Sequence, residues 1–303
     1  MGNTPPDIAT PMTGGGQNTP PSPEEIKKIV FEEDDFGHEM RVANVLENVE
    51  YPPLSYEQPF VNPSHHGGTY RDNVTGKTRQ FDFRCEITRR SPQRIFLAVE
   101  CKNLNYKLPL VVSGRPRTLA EAYHVFIKPG KGGTSQIRAV EGKYSLYRPD
   151  EFVGKSLLRL KMQNKNLVAD NDSEIYDRWA QALASSHDLA FAAAYDTTIP
   201  EKDTFVMPLV VVPNNSLWIA TYNHDGSFSG QPRQVDECQF YVDHKIGIGL
   251  PFVLTHIHFV TLGGLSLILS SFVETNGRRW ETIFSTASKV YSRGESMLLR
   301  SQP

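Results

Sequence analysis

Two short stretches hold the residues best suited to chemistry: Arg79-Gln80-Phe81-Asp82-Phe83-Arg84 and Leu97-Ala98-Val99-Glu100-Cys101-Lys102. Side chains alternate faces along a strand. Glu100 and Lys102 therefore share one face, with Val99 and Cys101 on the other. Phe81 and Phe83 flank Asp82 and point away from it. If the two strands pair as a hairpin, Asp82 and Glu100 converge at one edge. Two carboxylates beside an amine suit a hard divalent cation, because Mg2+ takes carboxylate oxygens, retains several waters and needs only one or two protein carboxylates. The expected metal ligands are Asp82, Glu100 and the main-chain carbonyl of Cys101, for Mg2+ or Mn2+. Lys102 would orient an attacking water or stabilise negative charge on a phosphate. The blander alternative is a solvated strand end with a weak ion pair. Against it stands the run Ile95-Phe96-Leu97-Ala98-Val99, which reads as a buried central strand. Charges that emerge from such a strand need a partner or a purpose.

Several elements must position these residues. Ser22, Pro23 and Glu25 predict a capped helix start. A second helix follows from the spacing of Phe36, Met40, Ala43 and Leu46, with Glu39 beside that stripe and Pro52-Pro53 as its stop. Asn73-Val74-Thr75-Gly76 reads as a turn, Arg79 to Ile87 as one strand and Ile95 to Lys102 as the next. Thr118 to Ile127 is expected to be helical, with Leu119, Ala122, Tyr123 and Phe126 on one side. Glu174 to Ala194 is expected to be a longer helix. Five strands are predicted after residue 200: Phe205–Pro213, Leu217–Tyr222, Phe240–Asp243, Val253–Thr261 and Leu265–Val273. Gly263-Gly264 would turn the last two. Ile246 to Val273 has no charged residue and is long enough to span a membrane, but Pro251, the two glycines and its β-branched residues favour strands. The pattern predicts an α/β (α+β) fold. It comprises a disordered tail over 1–22, a core over 23–200 and a β-rich region over 201–303 continuous with that core or added to it.

The order Asp82, then Glu100-Cys101-Lys102 after a hairpin of plausible length, resembles the PD-(D/E)xK nuclease superfamily. Thr75-Gly76-Lys77-Thr78-Arg79-Gln80-Phe81-Asp82 is also similar to the approach to the Asp in many members. The resemblance covers about residues 24–200. It implies a restriction-endonuclease-like mixed sheet flanked by helices, and a magnesium-dependent nuclease hydrolysing phosphodiester bonds, with DNA expected before RNA. It further implies a supporting Glu on an N-terminal helix, matched by Glu39, and a helical Gln near the site, matched by Gln181. Phe81 stands where the family name has Pro, and Cys101 fills a position where an apolar residue is usual. The alternative is a catalytically inactive nucleic-acid-binding or protein-interaction module on the same fold. Family members often act as dimers, and a larger defence complex is a further possibility by analogy.

The 303 residues include 39% hydrophobic and 22% charged residues, ordinary globular usage, and a net charge of −2 that taken alone argues against a nucleic-acid partner. That total conceals a cancellation. Residues 77–165 hold 19 Lys+Arg and 7 Asp+Glu, a net of +12, which leaves 13 basic and 27 acidic residues elsewhere, a net of −14. Phosphate neutralisation by such a block is the main sequence-independent source of nucleic-acid affinity. Arg84, Arg89, Arg90, Arg94, Lys107, Arg115, Arg117, Lys128, Lys131 and Arg138 belong to it. Three cysteines, Cys85, Cys101 and Cys238, make no CxxC pair and fit free thiols in a reducing compartment. The N-terminus shows no secretory pattern, so a cytoplasmic location without membrane attachment is expected. His256 and His258 would share a strand face, but no third ligand is evident and packed side chains are expected.

Overall fold

The computed structural model describes residues 20–33, 35–48, 60–61, 65–72, 75–88, 92–104, 108–130, 135–170, 173–195, 201–246, 252–273 and 278–291. Most of the expected tail, the Pro52-Pro53 stop and Asn73-Val74 lie outside the described residues. The chain forms two units, 1–34 and 35–303. In the first, α1 (Pro23–Glu33) begins with the expected capping box: the Ser22 hydroxyl accepts the Glu25 N–H at 3.3 Å and the Glu25 carboxylate accepts the Ser22 N–H at 2.7 Å.

The second unit runs through α2 (Phe36–Glu47), β1 (Phe60–Val61), β2 (His65–His66), β3 (Thr69–Arg71), β4 (Thr78–Gln80), β5 (Phe83–Thr88), β6 (Gln93–Cys101) and β7 (Leu110–Pro116). Then come β8 (Tyr123–Pro129), β9 (Ser135–Glu141), β10 (Phe152–Gln163), β11 (Asn166–Asp170), α3 (Ser173–Tyr195), β12 (Asp203–Val212) and β13 (Leu217–Thr221). It ends with β14 (Arg233–Gln234), β15 (Glu237–Ile246), β16 (Phe252–Thr261), α4 (Leu262–Val273), α5 (Arg278–Ile283) and β17 (Lys289–Tyr291). One large mixed sheet dominates, in the order β1-β5-β6-β12-β16-β15-β10-β7-β13-β14, and β3 and β4 form a separate ribbon.

The centre of that sheet is parallel: β12 pairs with β6 from Asp203↔Gln93 to Val211↔Cys101, and with β16 from Leu209↔His258 to Val212↔Thr261. Strands covered on both faces read as continuous apolar runs, which is why β6, β12 and β16 are buried almost throughout. A strand from beyond residue 200 thus lies beside the Glu100 strand, and the stretches 23–200 and 201–303 share one sheet. Residue parity assigns the faces. Ile95, Leu97, Val99 and Cys101 pack with Val42 and Leu46 of α2, with Leu265, Ile268 and Phe272 of α4, and with Trp280 and Ile283 of α5. Phe96 packs on the opposite face with Leu183 and Ala190 of α3. Glu100 has the parity of Phe96, so its side chain belongs to the α3 side.

Three expectations are corrected. Arg79 to Ile87 is not one strand: β4 ends at Gln80 and β5 starts at Phe83, with Phe81 and Asp82 at a break between two sheets. Thr118 to Ile127 is one 3-10 turn, Leu119–Glu121, followed by β8. The helical spacing misled because Tyr123 to Ile127 is buried on both faces, and β-branched and aromatic residues in such a place favour a strand. Leu265 to Val273 belongs to helix α4, not to a strand. Leu265, Ile268, Leu269 and Phe272 recur at helical spacing and are all buried, and the Thr261 hydroxyl caps the helix by accepting the Gly264 N–H at 3.1 Å. Gly264 is required by close approach, not by a hairpin: a Cβ there would lie 1.9 Å from the Asp236 carbonyl oxygen.

Candidate functional site

The break at Phe81-Asp82 sets the position of Asp82. A long antiparallel ribbon, β2–β3 against β4–β5, crosses from one sheet to the other there. The Phe81 N–H bonds the Gly68 carbonyl, and the Asp82 carbonyl accepts the Gly67 N–H, each at 3.0 Å. Gly68 permits this crossing, since a Cβ would come within 2.4 Å of the Phe81 ring. Beyond the crossing, β5 pairs with β6 from Phe83↔Val99. Asp82 therefore sits off the end of β5, and its Oδ2 accepts the Cys101 N–H at 2.7 Å. The carboxylate is anchored to the main chain of the neighbouring triplet.

Glu100 is 1% exposed, and neither of its carboxylate oxygens has a hydrogen-bond partner among the described residues. Burial, and then the negative charge of Asp82, push its carboxyl up to about 9. Burial also raises Asp82, against the Cys101 N–H and Arg178. The compensating charge comes from α3, as parity requires. Arg178 Nη1 lies 3.6 Å from Asp82 Oδ2 and 3.9 Å from Glu100 Oε2. Its Nη2 donates to Asp35 Oδ2 at 2.9 Å. Burial opposes the guanidinium charge, but Asp82, Asp35 and Glu100 outweigh it and hold the Arg178 pKa above its ordinary value.

The remaining expected residues gather around this pair. Gln181, one turn along α3 from Arg178, accepts from Arg178 Nη1 at 3.4 Å. Lys102 Nζ is 3.7 Å from Asp35 Oδ2, and Asp35 Oδ1 accepts the Asn103 N–H at 2.7 Å. Glu39 is half-buried in the first turn of α2, and its Oε2 lies 3.1 Å from His66 Nε2. Its charge reaches Asp82 and adds to the upward shift there. His66 stacks on Phe83 with ring centroids 4.6 Å apart. Asp82, Glu100, Lys102, Glu39 and Gln181 are thus at one end of the β5–β6 pair, while the Cys101 side chain turns into the α2 and α4 face.

Sequence reasoning missed Arg178, Asp35 and His66. Arg178 had a signal in its i, i+3 spacing from Gln181. Asp35 lay in the acidic run before α2, and His66 lies in the two-residue strand β2.

The donor set fits a divalent cation. A buried carboxylate with two unbonded oxygens, beside a second carboxylate, is costly unless a proton or a cation neutralises it. Among the described residues no three His, Cys, Asp or Glu side chains form a ready cage. The expected set needs only two carboxylates and the Cys101 carbonyl, with water filling the other positions.

Other candidates resolve into packing. His256 accepts from Arg117 Nε at 3.2 Å, and His258 contacts Glu237 at 2.9 Å and the Tyr147 hydroxyl at 3.0 Å. Both histidines are fully enclosed. Burial opposes ionisation of Glu237, but His258 and Arg279 hold its carboxyl down to about 2. The three cysteines are free and buried. The basic block is less available to a partner than its sum suggested. Arg94 and Arg117 are buried, Arg84 pairs with Asp188, and Arg115 and Lys155 share Glu121. Arg89, Arg90, Lys107 and Lys131 lie outside the described residues. No described helix is long and apolar enough to cross a membrane. No known protein family, characterised protein or solved structure matches the chain.

Proposed function

We propose that this protein is a metal-dependent nuclease hydrolysing phosphodiester bonds, with DNA as the first substrate to test. It would work in the cytoplasm on a restriction-endonuclease-like core. The observation that carries this reading is the meeting of Asp82 and Glu100 at one Arg178 nitrogen, with Glu100 buried and neither of its oxygens hydrogen-bonded among the described residues. A purely structural acid in such a place would be hydrogen-bonded. Asp82, Glu100 and the Cys101 carbonyl would hold Mg2+ or Mn2+. When bound, the ion supplies Lewis-acid stabilisation of charge developing on the phosphate. Lys102, held near Asp35, orients the attacking water and stabilises that charge. Glu39 supports the site through its field at Asp82, and Gln181 positions Arg178. The test is incubation with plasmid, linear duplex and single-stranded DNA, in Mg2+ or in EDTA. Cleavage that needs Mg2+ and is lost in Glu100→Ala and Lys102→Ala, both folded, is the expected result. Equal cleavage by parent and variants would overturn it.

One observation favours the second reading, a binding module without cleavage: a guanidinium already partly neutralises the carboxylate pair. DNA retention without Mg2+-dependent products would select it.

A further inference from the structure

Arg178 is held in an unusual way. Its strong hydrogen bond, 2.9 Å, goes to Asp35, which lies outside the Asp82–Glu100 pair. Toward the pair it presents Nη1 at 3.6 and 3.9 Å, beyond hydrogen-bonding range, and its bond to Gln181 is long at 3.4 Å. Strong Arg–carboxylate pairs are frequently bidentate, with N···O near 2.7–2.9 Å. Here Arg178 makes no hydrogen bond to Glu100. The guanidinium faces both carboxyl groups without bonding Glu100, and it is tethered by one arm on a long, flexible side chain.

We infer that Arg178 is a resident counter-cation, standing against Asp82 and Glu100 until a phosphate group draws it away, so that metal and nucleic acid each favour the other's binding. This rests on the nuclease reading and adds a coupling to it. A positive guanidinium within 4 Å of both carboxylates opposes a divalent ion aimed at the same oxygens. Arg is also suited to a phosphate, which its planar fork matches in two bonds. A phosphodiester that takes the guanidinium relieves the repulsion, and by reciprocity the metal strengthens phosphate binding. Asp35 is the hinge partner: it retains Nη2 while Nη1 changes occupant. Arg178 is in this sense a positioning residue for the metal and a contact for the phosphate.

The test measures binding, so it does not depend on turnover. Titration calorimetry with Mn2+ alone, without nucleic acid, compares the parent with Arg178→Gln and Arg178→Lys. The neutral variant is expected to bind Mn2+ at least about tenfold more tightly than the parent, and the Lys variant to stay closer to the parent. In EDTA, a fluorescent 20-base-pair duplex is expected to bind Arg178→Gln more weakly than the parent. Unchanged or weaker Mn2+ binding by the Gln variant would overturn the inference, as would unchanged duplex affinity. Arg178→Ala serves if the Gln variant does not fold, because residue 178 lies in the first turns of α3 and is partly exposed. If the parent proves inactive on every DNA while the Gln variant still tightens Mn2+ binding and loosens duplex binding, the nuclease reading fails and this coupling stands. If the parent cleaves DNA and the variant's Mn2+ affinity is unchanged, the reverse holds.

Discussion

Glu100→Gln should stabilise the metal-free protein although it destroys the site. The reasoning follows from burial. Glu100 is 1% exposed with no hydrogen-bond partner for either oxygen among the described residues, and its carboxyl is pushed from 4.5 up to about 9. At pH 7 the folded state therefore holds a proton that the unfolded chain has released. A carboxyl with a raised folded pKa contributes most stability below 4.5 and loses it as pH rises toward 9. Two to three units of pH above the unfolded value, each equivalent to 1.36 kcal/mol, give a cost of about 3 kcal/mol at pH 7. Gln has nearly the same shape and does not titrate, so it avoids this cost. For a chain of this size that corresponds to a rise in Tm of about 3–6 °C. The assay is thermal unfolding of parent and variant in EDTA from pH 5 to pH 8. The gap should be small at pH 5 and widen toward pH 8, and added Mn2+ should raise the parent's Tm and leave the variant's unchanged. A variant that melts at or below the parent at pH 7, or a gap that ignores pH, would refute the reasoning.

Lys102→Ala should lower Mg2+-dependent cleavage by about 10²–10⁴-fold with the fold intact, as single-turnover rates and circular dichroism would check. The protein should lose stability as pH falls from 6.5 toward 4, because burial pushes the His124 ring down to about 4. Its Nδ1 accepts the Leu146 N–H at 3.1 Å and Nε2 faces the Ile283 carbonyl at 2.9 Å, so protonation at Nδ1 breaks a buried bond. His124→Asn should flatten that part of the urea-midpoint profile against pH, and an unchanged slope would show that His124 does not contribute. Gly264→Ala should destabilise by about 1–3 kcal/mol in urea, because its Cβ would meet the Asp236 carbonyl at 1.9 Å.

The placement of the candidate residues was more legible in the sequence than the elements around them, for physical reasons. Strand parity alone put Glu100 on the face opposite Cys101, and that holds because the period of two is imposed by the backbone. Asp82 was placed correctly relative to Glu100 although the strand containing it was not, since pairing resumes one residue later at Phe83↔Val99. The kink itself depends on Gly68 closing over Phe81, a contact between residues 13 apart that no local pattern encodes. Apolar runs misled where helical and strand periods overlap. Leu119, Ala122, Tyr123 and Phe126 fit a helical stripe, but Leu119 is 71% exposed and the others serve β8 or its approach. The α4 run failed in the other direction: its cap comes from Thr261, at the end of a strand, and its glycines were read as a turn.

Charge shows best why the local arrangement matters more than totals. The basic block summed to +12, yet two of its arginines are buried and three of its cations are held by Asp188 and Glu121. At the site the balance runs the other way. Asp35, Glu39, Asp82 and Glu100 stand against Lys102 and Arg178, with His66 beside Glu39. A phosphodiester approaching this acidic cluster meets like charge. On the proposed reading, a cation at Asp82 and Glu100 removes it, and the Arg178 nitrogen released from the pair becomes the phosphate's partner. Substrate and metal would then depend on one another through the same two carboxylates. Salt should accordingly weaken duplex binding more in Mn2+ than in EDTA, because the metal-bound state makes the additional phosphate contact.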